Sequence, residues 1–316
     1  MHEKFIQSSW TKTDETFEVP LRPSSLNEFI GQTNIKKRLE IFIGAAKKRK
    51  ETLSHCLLSG PPGLGKTTLA NIIAKEMQSN IIVTSGAVIE KPGDLAGILT
   101  GLKKGDILFI DEIHRLSKNI EEYLYPAMED FSLDLIIDSG PHARSVKLKL
   151  NPFTLIGATT RSGLLSSPLR SRFIFSARLD YYLPKDLQKI ITRSSSLINL
   201  EIEKEAAYLI AERSRGTPRV ANNLLRWTRD FAQMKEISLV NQNTSDHALK
   251  MLSIDEMGLD ETDKKILLSI INHFNGGPVG IKTLSLSVGE EADTISEVYE
   301  PYLILKGLLK RTLRGR

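Results

Sequence analysis

The chain has 316 residues, 41% hydrophobic and 26% charged, an ordinary globular composition with room for about two domains, or three if some are small, and not that of a disordered or fibrous chain. Lys and Arg (43) exceed Asp and Glu (38) by five, a balance compatible with an anionic partner that does not by itself point to one. Cys56 is the only cysteine, so an intrachain disulfide and a cysteine-built zinc cluster are excluded; with no apolar run long enough to span a bilayer, the expectation is a cytoplasmic protein without membrane attachment.

In chain order, residues 1–18 are polar and aperiodic and read as a loose arm before Pro20 and Pro23. From 35 to 48, Leu39, Phe42, Ile43 and Ala46 recur at helical spacing with Lys and Arg between them, which predicts an amphipathic helix. Short apolar runs at 56–59, 81–84, 107–111 and 154–158 alternate with helical stretches. That alternation predicts a doubly wound parallel sheet with its ligand at the carboxyl ends of the strands. Two further runs, 133–137 and 145–150, flank Asp138, Ser139, Gly140 and Pro141 and read as an inserted hairpin. Residues 184–254 are mainly helical in pattern, 255–260 interrupt it and read as a hinge, and a helical, turn-rich segment follows. The expected division is a large domain over 1–182, a small helical domain over 183–254 and a terminal domain over 255–316. After Glu300 no acidic residue remains, while Lys306, Lys310, Arg311, Arg314 and Arg316 follow, so the carboxyl end is a cationic patch.

The chemistry concentrates at the ends of the predicted strands. Gly60-Pro61-Pro62-Gly63-Leu64-Gly65-Lys66-Thr67 fits the phosphate-loop pattern G-x-x-x-x-G-K-[ST] between a strand and a helix. The glycines let backbone amides converge on phosphate oxygens, the helix start favours negative charge, Lys66 reaches the terminal phosphates and the Thr67 hydroxyl can ligate Mg2+. The run Ile107 to Ile110 ends in Asp111 and Glu112. Asp111 is suited to hold the metal through water, and Glu112 to polarise an attacking water, so the pair favours hydrolysis over mere nucleotide binding. The alternative is that both carboxylates only cap a helix starting near Lys118.

With Asp111-Glu112-Ile113-His114, Gly157-Ala158-Thr159-Thr160-Arg161 and Gly216-Thr217-Pro218-Arg219 also in hand, the chain resembles the AAA+ ATPases. More narrowly, from about Val19 to Arg316, it resembles the bacterial motors that move Holliday junctions. The resemblance implies a P-loop parallel-sheet ATPase domain, a small helical lid and a carboxyl-terminal winged-helix head, assembled as a hexameric ring that hydrolyses ATP with Mg2+. It implies that Thr160 is the first sensor, that Arg172 rather than Arg170 is the arginine finger acting on the neighbour's ATP, and that Arg219 is the second sensor. It further assigns Leu21, Arg22, Gly63, Gly65, Thr67, Thr68, Glu129, Asp130, Phe131 and Tyr182 to the nucleotide site, with Tyr182 against the adenine. On residue type alone Thr160 is equally a strand-end hydroxyl bonded to its own backbone, and Tyr182 a packing residue.

The same resemblance makes the hairpin over 133–150 the docking element for the junction-binding protein RuvA, through Leu135, Ile136 and Ile137, with the nuclease RuvC as a further partner. It makes Arg311 and Arg316 the DNA-contacting arginines of the wing. Two positions depart from the family pattern: Asp138 stands where a glycine is expected and Leu313 where a proline is. Two other functions are compatible with the motifs, a clamp-loader ATPase and an ATP-switched DNA-binding regulator. The first is weakened by the lone cysteine, since clamp loaders commonly carry a zinc module. The second is weakened by Glu112 and a finger.

Overall fold

The structure, a computed structural model, describes residues 20–136 and 145–316. The chain divides into two compact units: residues 23–61 with 65–180, and residues 62–64 with 181–316.

The first unit is built on a five-stranded sheet. Its strands are β1 (Cys56–Ser59), β2 (Ile81–Ser85), β3 (Ile107–Asp111), β6 (Thr154–Thr159) and β7 (Phe175–Arg178), in the order β2-β3-β6-β1-β7. Every pairing is parallel. Four of these strands lie where the apolar runs put them; β7 does not announce itself. Its residues alternate buried and exposed, as expected of an edge strand with one covered face, and its sequence Phe-Ser-Ala-Arg lacks the apolar run of a buried strand.

Parallel strands need crossovers, and the helices Lys66–Met77 and Pro92–Thr100 supply two of them. One large apolar cluster joins Leu95, Leu99, Leu108, Ile110, Ile113, Leu124 and Phe153, all buried. The helix Thr33–Arg49 buries Ile35, Leu39, Ile43 and Ala46, the stripe its spacing predicted. Between β3 and β6, β4 (Ser132–Ile136) and β5 (Ser145–Lys149) pair antiparallel, Ser132 opposite Lys149 and Ile136 opposite Ser145. The expected docking tip, with Ile137, Asp138 and the side chains of Leu135 and Ile136, lies outside the described residues.

In the second unit the helices Pro184–Leu197, Lys204–Arg213, Pro218–Met234 and Gln242–Met251 follow one another. Two short strands, β8 (Glu201–Ile202) and β9 (Leu239–Val240), pair parallel over them. The terminal segment contributes the helices Glu261–Phe274 and Ile281–Val288 and a continuous helical run from Ala292 to Leu305. Ile266, Leu284, Ile295, Tyr299, Tyr302 and Leu303 form a core there. The expected wing is short: Thr312 and Gly315 form a single bridge, and Val279 and Arg316 exchange backbone hydrogen bonds of 2.9 and 3.0 Å. Among the described residues no helix is long and apolar enough to cross a membrane.

Candidate functional site

Strand order concentrates the candidate groups on one edge of the sheet. β6 lies between β1 and β3, so the chain segments leaving β1 and β3 are two strand spacings apart, about 10 Å. The phosphate loop leaves β1, Asp111 ends β3, and Thr160 follows the end of β6 in the gap between them.

The loop is shaped by positions only glycine tolerates. Gly60 has φ 133°, and a Cβ there would collide with the Leu179 carbonyl; Gly65 has φ 98° and starts the helix Lys66–Met77. Both need backbone conformations costly for an L side chain. Lys66 is buried, and its Nζ donates to the Gly60 and Pro61 carbonyls, each at 2.8 Å. The amine is thus held over the loop backbone. Thr67 and Thr68 follow on the first turn, both half-buried.

At the end of β3, one Asp111 oxygen accepts from the Glu112 amide at 2.9 Å, and the Asp111 carbonyl accepts from Gly86 at 2.8 Å. Glu112 has φ 46°, an uncommon conformation for a non-glycine residue that turns the chain sharply after the strand. Its Oε2 meets Arg115 Nη1 at 3.0 Å, with both side chains about half exposed. The capping alternative is not what the chain does. Ser117 caps the helix Lys118–Glu129, accepting from the Ile120 amide at 3.4 Å, and Glu112 makes no capping hydrogen bond.

A side-chain contact links the turn after β3 to the end of β6. Thr159 Oγ1 lies 2.9 Å from His114 Nδ1 and accepts from the Arg161 amide at 3.0 Å. The hydroxyl that bonds locally is therefore that of Thr159, while Thr160 is half-buried just beyond it. Gly157 leaves room for the turn that follows β3, since a Cβ there would stand 2.9 Å from Ile113 Cδ1.

The structure brings two of the expected site residues together: Arg172 Nη2 bonds Glu129 Oε2 at 3.1 Å. The guanidinium also donates through Nη1 to the Pro168 carbonyl at 2.7 Å and lies over the Tyr125 ring, 4.3 Å from its centroid. Arg172 Nε is buried with no hydrogen-bond partner among the described residues, whereas Arg170 is exposed. Tyr125 was missed in the sequence; it sits four residues before Glu129 on one helix face, which is the signal that could have found it. Asp130 is exposed at the end of that helix. Phe131 packs its ring edge-on to His55 and Phe153, at 6.5 and 5.9 Å. Burial lowers the His55 pKa, in keeping with a neutral ring whose Nδ1 accepts from the Leu155 amide.

In the unit that contains 62–64 and 181–316, Gly63 stands against the Gly216-Thr217-Pro218-Arg219 motif. A Cβ on Gly63 would meet Thr217 Cγ2 at 2.7 Å and Arg219 Cβ at 3.1 Å, and the Arg219 amide reaches the Gly63 carbonyl at 3.4 Å. Tyr182 is buried, with its hydroxyl donating to the Leu64 carbonyl at 3.3 Å. Leu21 is buried, its carbonyl accepting from Arg193 Nη1 at 2.7 Å, and Arg22 beside it is half-buried. Gly63, Leu64, Tyr182 and Arg219 therefore meet in one neighbourhood.

The two arginines expected on DNA differ. Arg311 is exposed, but the Arg316 side chain is only 8% exposed and pairs with the buried Glu300, Nη2 to Oε2 at 3.0 Å and a second, shorter contact from Nε to Oε1. Of the two, Arg316 is the one whose guanidinium is held within the fold, with two donors on a buried carboxylate.

Comparison with known proteins agrees with this architecture along the whole chain. Three family models match in succession: the Holliday junction DNA helicase RuvB P-loop domain over 21–179, the RuvB AAA lid domain over 182–255 and the RuvB carboxyl-terminal winged-helix domain over 256–316. The chain is 64% identical over its full length to the RuvB subunit of the Holliday junction branch migration complex of Protochlamydia amoebophila, covering 95% of that protein. It is 59% identical to the corresponding subunit of Chlorobaculum parvum, over 96% of this chain and 89% of that one. Among solved structures, the Thermotoga maritima RuvB Holliday junction branch migration motor superposes with a TM-score of 0.86 at 56% identity, over 94% of this chain and 95% of that one. With a phosphate loop, an acidic strand end, a helical lid and a terminal head all matched in order, the chain belongs to the RuvB family of Holliday junction DNA helicases.

Proposed function

We propose that the chain is an ATP-driven motor that branch-migrates Holliday junctions, and that the groups on the carboxyl edge of its sheet carry out the hydrolysis. The observation that carries this reading is the pairing of a lysine-bearing phosphate loop with Asp111-Glu112 on the strand two places away, Thr160 lying between them. Backbone amides at the start of Lys66–Met77 and the Lys66 amine bind the terminal phosphates. Thr67 and Asp111 are hard oxygen donors of the kind Mg2+ takes alongside water, and they are the residues that would hold it. When bound, the ion neutralises phosphate charge. Glu112 orients and deprotonates the attacking water, and Thr160 holds that water in line.

The remaining roles belong to the same proposal. Arg172 serves the neighbouring subunit's ATP, which makes a single protomer incomplete and a homohexameric ring the working form. Its hold on Glu129 and Tyr125 supports this reading, because a guanidinium already fixed in orientation loses less freedom on meeting a phosphate. Arg219 reads the nucleotide from the lid, with Leu21, Arg22 and Tyr182 around base and ribose, and Gly63, Gly65, Thr68, Glu129, Asp130 and Phe131 completing the surround. Residues 1–182 act as ATPase domain, 183–254 as lid and 255–316 as head. Through Arg311 the head grips phosphates without reading sequence, as a moving motor must. The hairpin over 133–150 docks on RuvA at the junction, and RuvC acts on the same assembly.

The test is a synthetic four-way junction with labelled arms, incubated with this chain and RuvA. ATP should resolve the junction into duplexes, whereas a non-hydrolysable analogue should support binding and no movement. Movement with the analogue would contradict the motor.

A further inference from the structure

The first helix of the head, Glu261–Phe274, carries a carboxylate with no solvent exposure, Asp263. Its Oδ2 accepts a 2.6 Å hydrogen bond from Nη1 of Arg215, which lies 48 residues earlier in the lid. The same guanidinium donates to the Val298 carbonyl at 3.3 Å and lies over the rings of Tyr302 and Tyr299, 4.5 and 5.6 Å from their centroids. One lid side chain, 3% exposed, therefore touches both the first helix of the head and its helical run from 292 to 305.

Both ends of this contact are stiff. Arg215 itself has φ 55°, and a Cβ on the next residue, Gly216, would meet the Tyr181 side chain at 2.9 Å. The Gly216 carbonyl accepts from Tyr182 at 2.9 Å, and Thr217 Oγ1 donates to the Arg215 carbonyl at 3.2 Å. Then the helix Pro218–Met234 begins, with Arg219 its second residue. On the head side, Tyr302 Oη donates to the Met257 carbonyl at 2.6 Å, and Asp255 Oδ1 accepts the amides of Met257 and Leu259. Gly258 presses on the Arg213 carbonyl, 2.8 Å from where a Cβ would stand. The segment expected to be a hinge is strapped on both sides.

A buried ion pair is a poor device for stability, since apolar residues of similar size commonly do as well. This one is not even fully satisfied: Asp263 Oδ1 is buried without a hydrogen-bond partner among the described residues. Burial pushes the Asp263 carboxyl up to about 7 against the opposing pull of Arg215. What a fork held by a carboxylate, a carbonyl and two rings does provide is one fixed angle between the segments it joins.

We propose that Arg215 is a positioning residue that couples the nucleotide-reading Arg219 to the DNA-gripping head, so that lid and head turn as one piece when the nucleotide changes. This rests on the motor reading above.

The test uses the full chain with RuvA and a four-way junction, and measures ATP consumed per junction resolved. Arg215→Lys keeps the charge without the fork, and Arg215→Met combined with Asp263→Asn removes both charges together. Each variant should hydrolyse ATP and bind duplex within about threefold of the parent, yet use roughly tenfold more ATP per junction, with Arg215→Lys the milder. An unchanged ratio overturns the proposal. That includes a variant that loses hydrolysis and movement in equal proportion; where a variant fails to fold, hydrogen exchange on the parent chain decides in its place. That second measurement follows the amides of residues 255–260 during turnover: protection equal with and without ATP is expected, and opening of that segment on ATP addition overturns the proposal whatever the variants do. A parent chain that hydrolyses ATP but moves no junction would instead sink the motor reading, leaving the exchange result to judge the coupling.

Discussion

The sheet unit and the terminal head treat their charged residues in opposite ways. In the sheet unit, position follows from topology: parallel strands end on one edge, so Lys66, Asp111 and Thr160 arrive there because the strands before them are buried. Their side chains then stay half-buried or are held by backbone, as Lys66 is by two carbonyls. In the head no such rule applies. Arg311 and Arg316 stand five residues apart in a tail without acidic residues, yet one is exposed and the other closed on Glu300. A motif bound to strand ends carries its own geometry, whereas a run of basic residues does not, because each cation's fate depends on a partner supplied from elsewhere in the chain.

The contrast can be broken or sharpened by substitution. The largest effect is expected at Arg172. If it acts across the ring, Arg172→Ala should lower turnover by about 10³-fold or more, while exposed Arg170→Ala stays near the parent in the same phosphate-release assay. Equal losses at both positions would remove the reason for choosing between them. In the head, Arg316→Ala should leave the buried Glu300 uncompensated and cost about 3–5 kcal/mol in chemical denaturation of the terminal segment. A stability loss close to zero would mean that the pair is not formed in solution. The smallest effect is expected at Arg311. Arg311→Ala should weaken duplex binding several-fold, lower the salt slope by about 1 and leave thermal stability and basal ATPase unchanged. A salt slope that falls for Arg316→Ala but not for Arg311→Ala would reverse the assignment.

Much of the fold was legible because its signals are local. Four strands announce themselves as apolar runs, although β2 lies at a sheet edge and is only half-buried where a buried strand is expected; Leu39, Ile43 and Ala46 mark one helix face, and the phosphate loop carries its glycines in sequence. What was not legible depends on partners far along the chain. β7 shows no apolar run because its two outward positions are Ser176 and Arg178, both exposed, and only Phe175 and Ala177 face the core. Arg316 looks like any terminal cation until Glu300, sixteen residues away, is seen beside it. Arg215 has no motif value of its own, and its meaning comes from Asp263. The link between Thr159 and His114 falls inside two quoted motifs, yet only the register of β3 against β6 brings them together. Tyr125 is an intermediate case, since its helical spacing from Glu129 was available and its stacking on Arg172 was not.

The most direct measurement compares nucleotide affinity and phosphate release for the parent chain and Glu112→Gln at saturating ATP and Mg2+. Binding should be retained in both, because the loop amides and Lys66 are untouched, while release in the variant should fall about 10²- to 10⁴-fold. A variant that binds ATP and hydrolyses it at the parent rate would contradict the assignment of water activation to the end of β3.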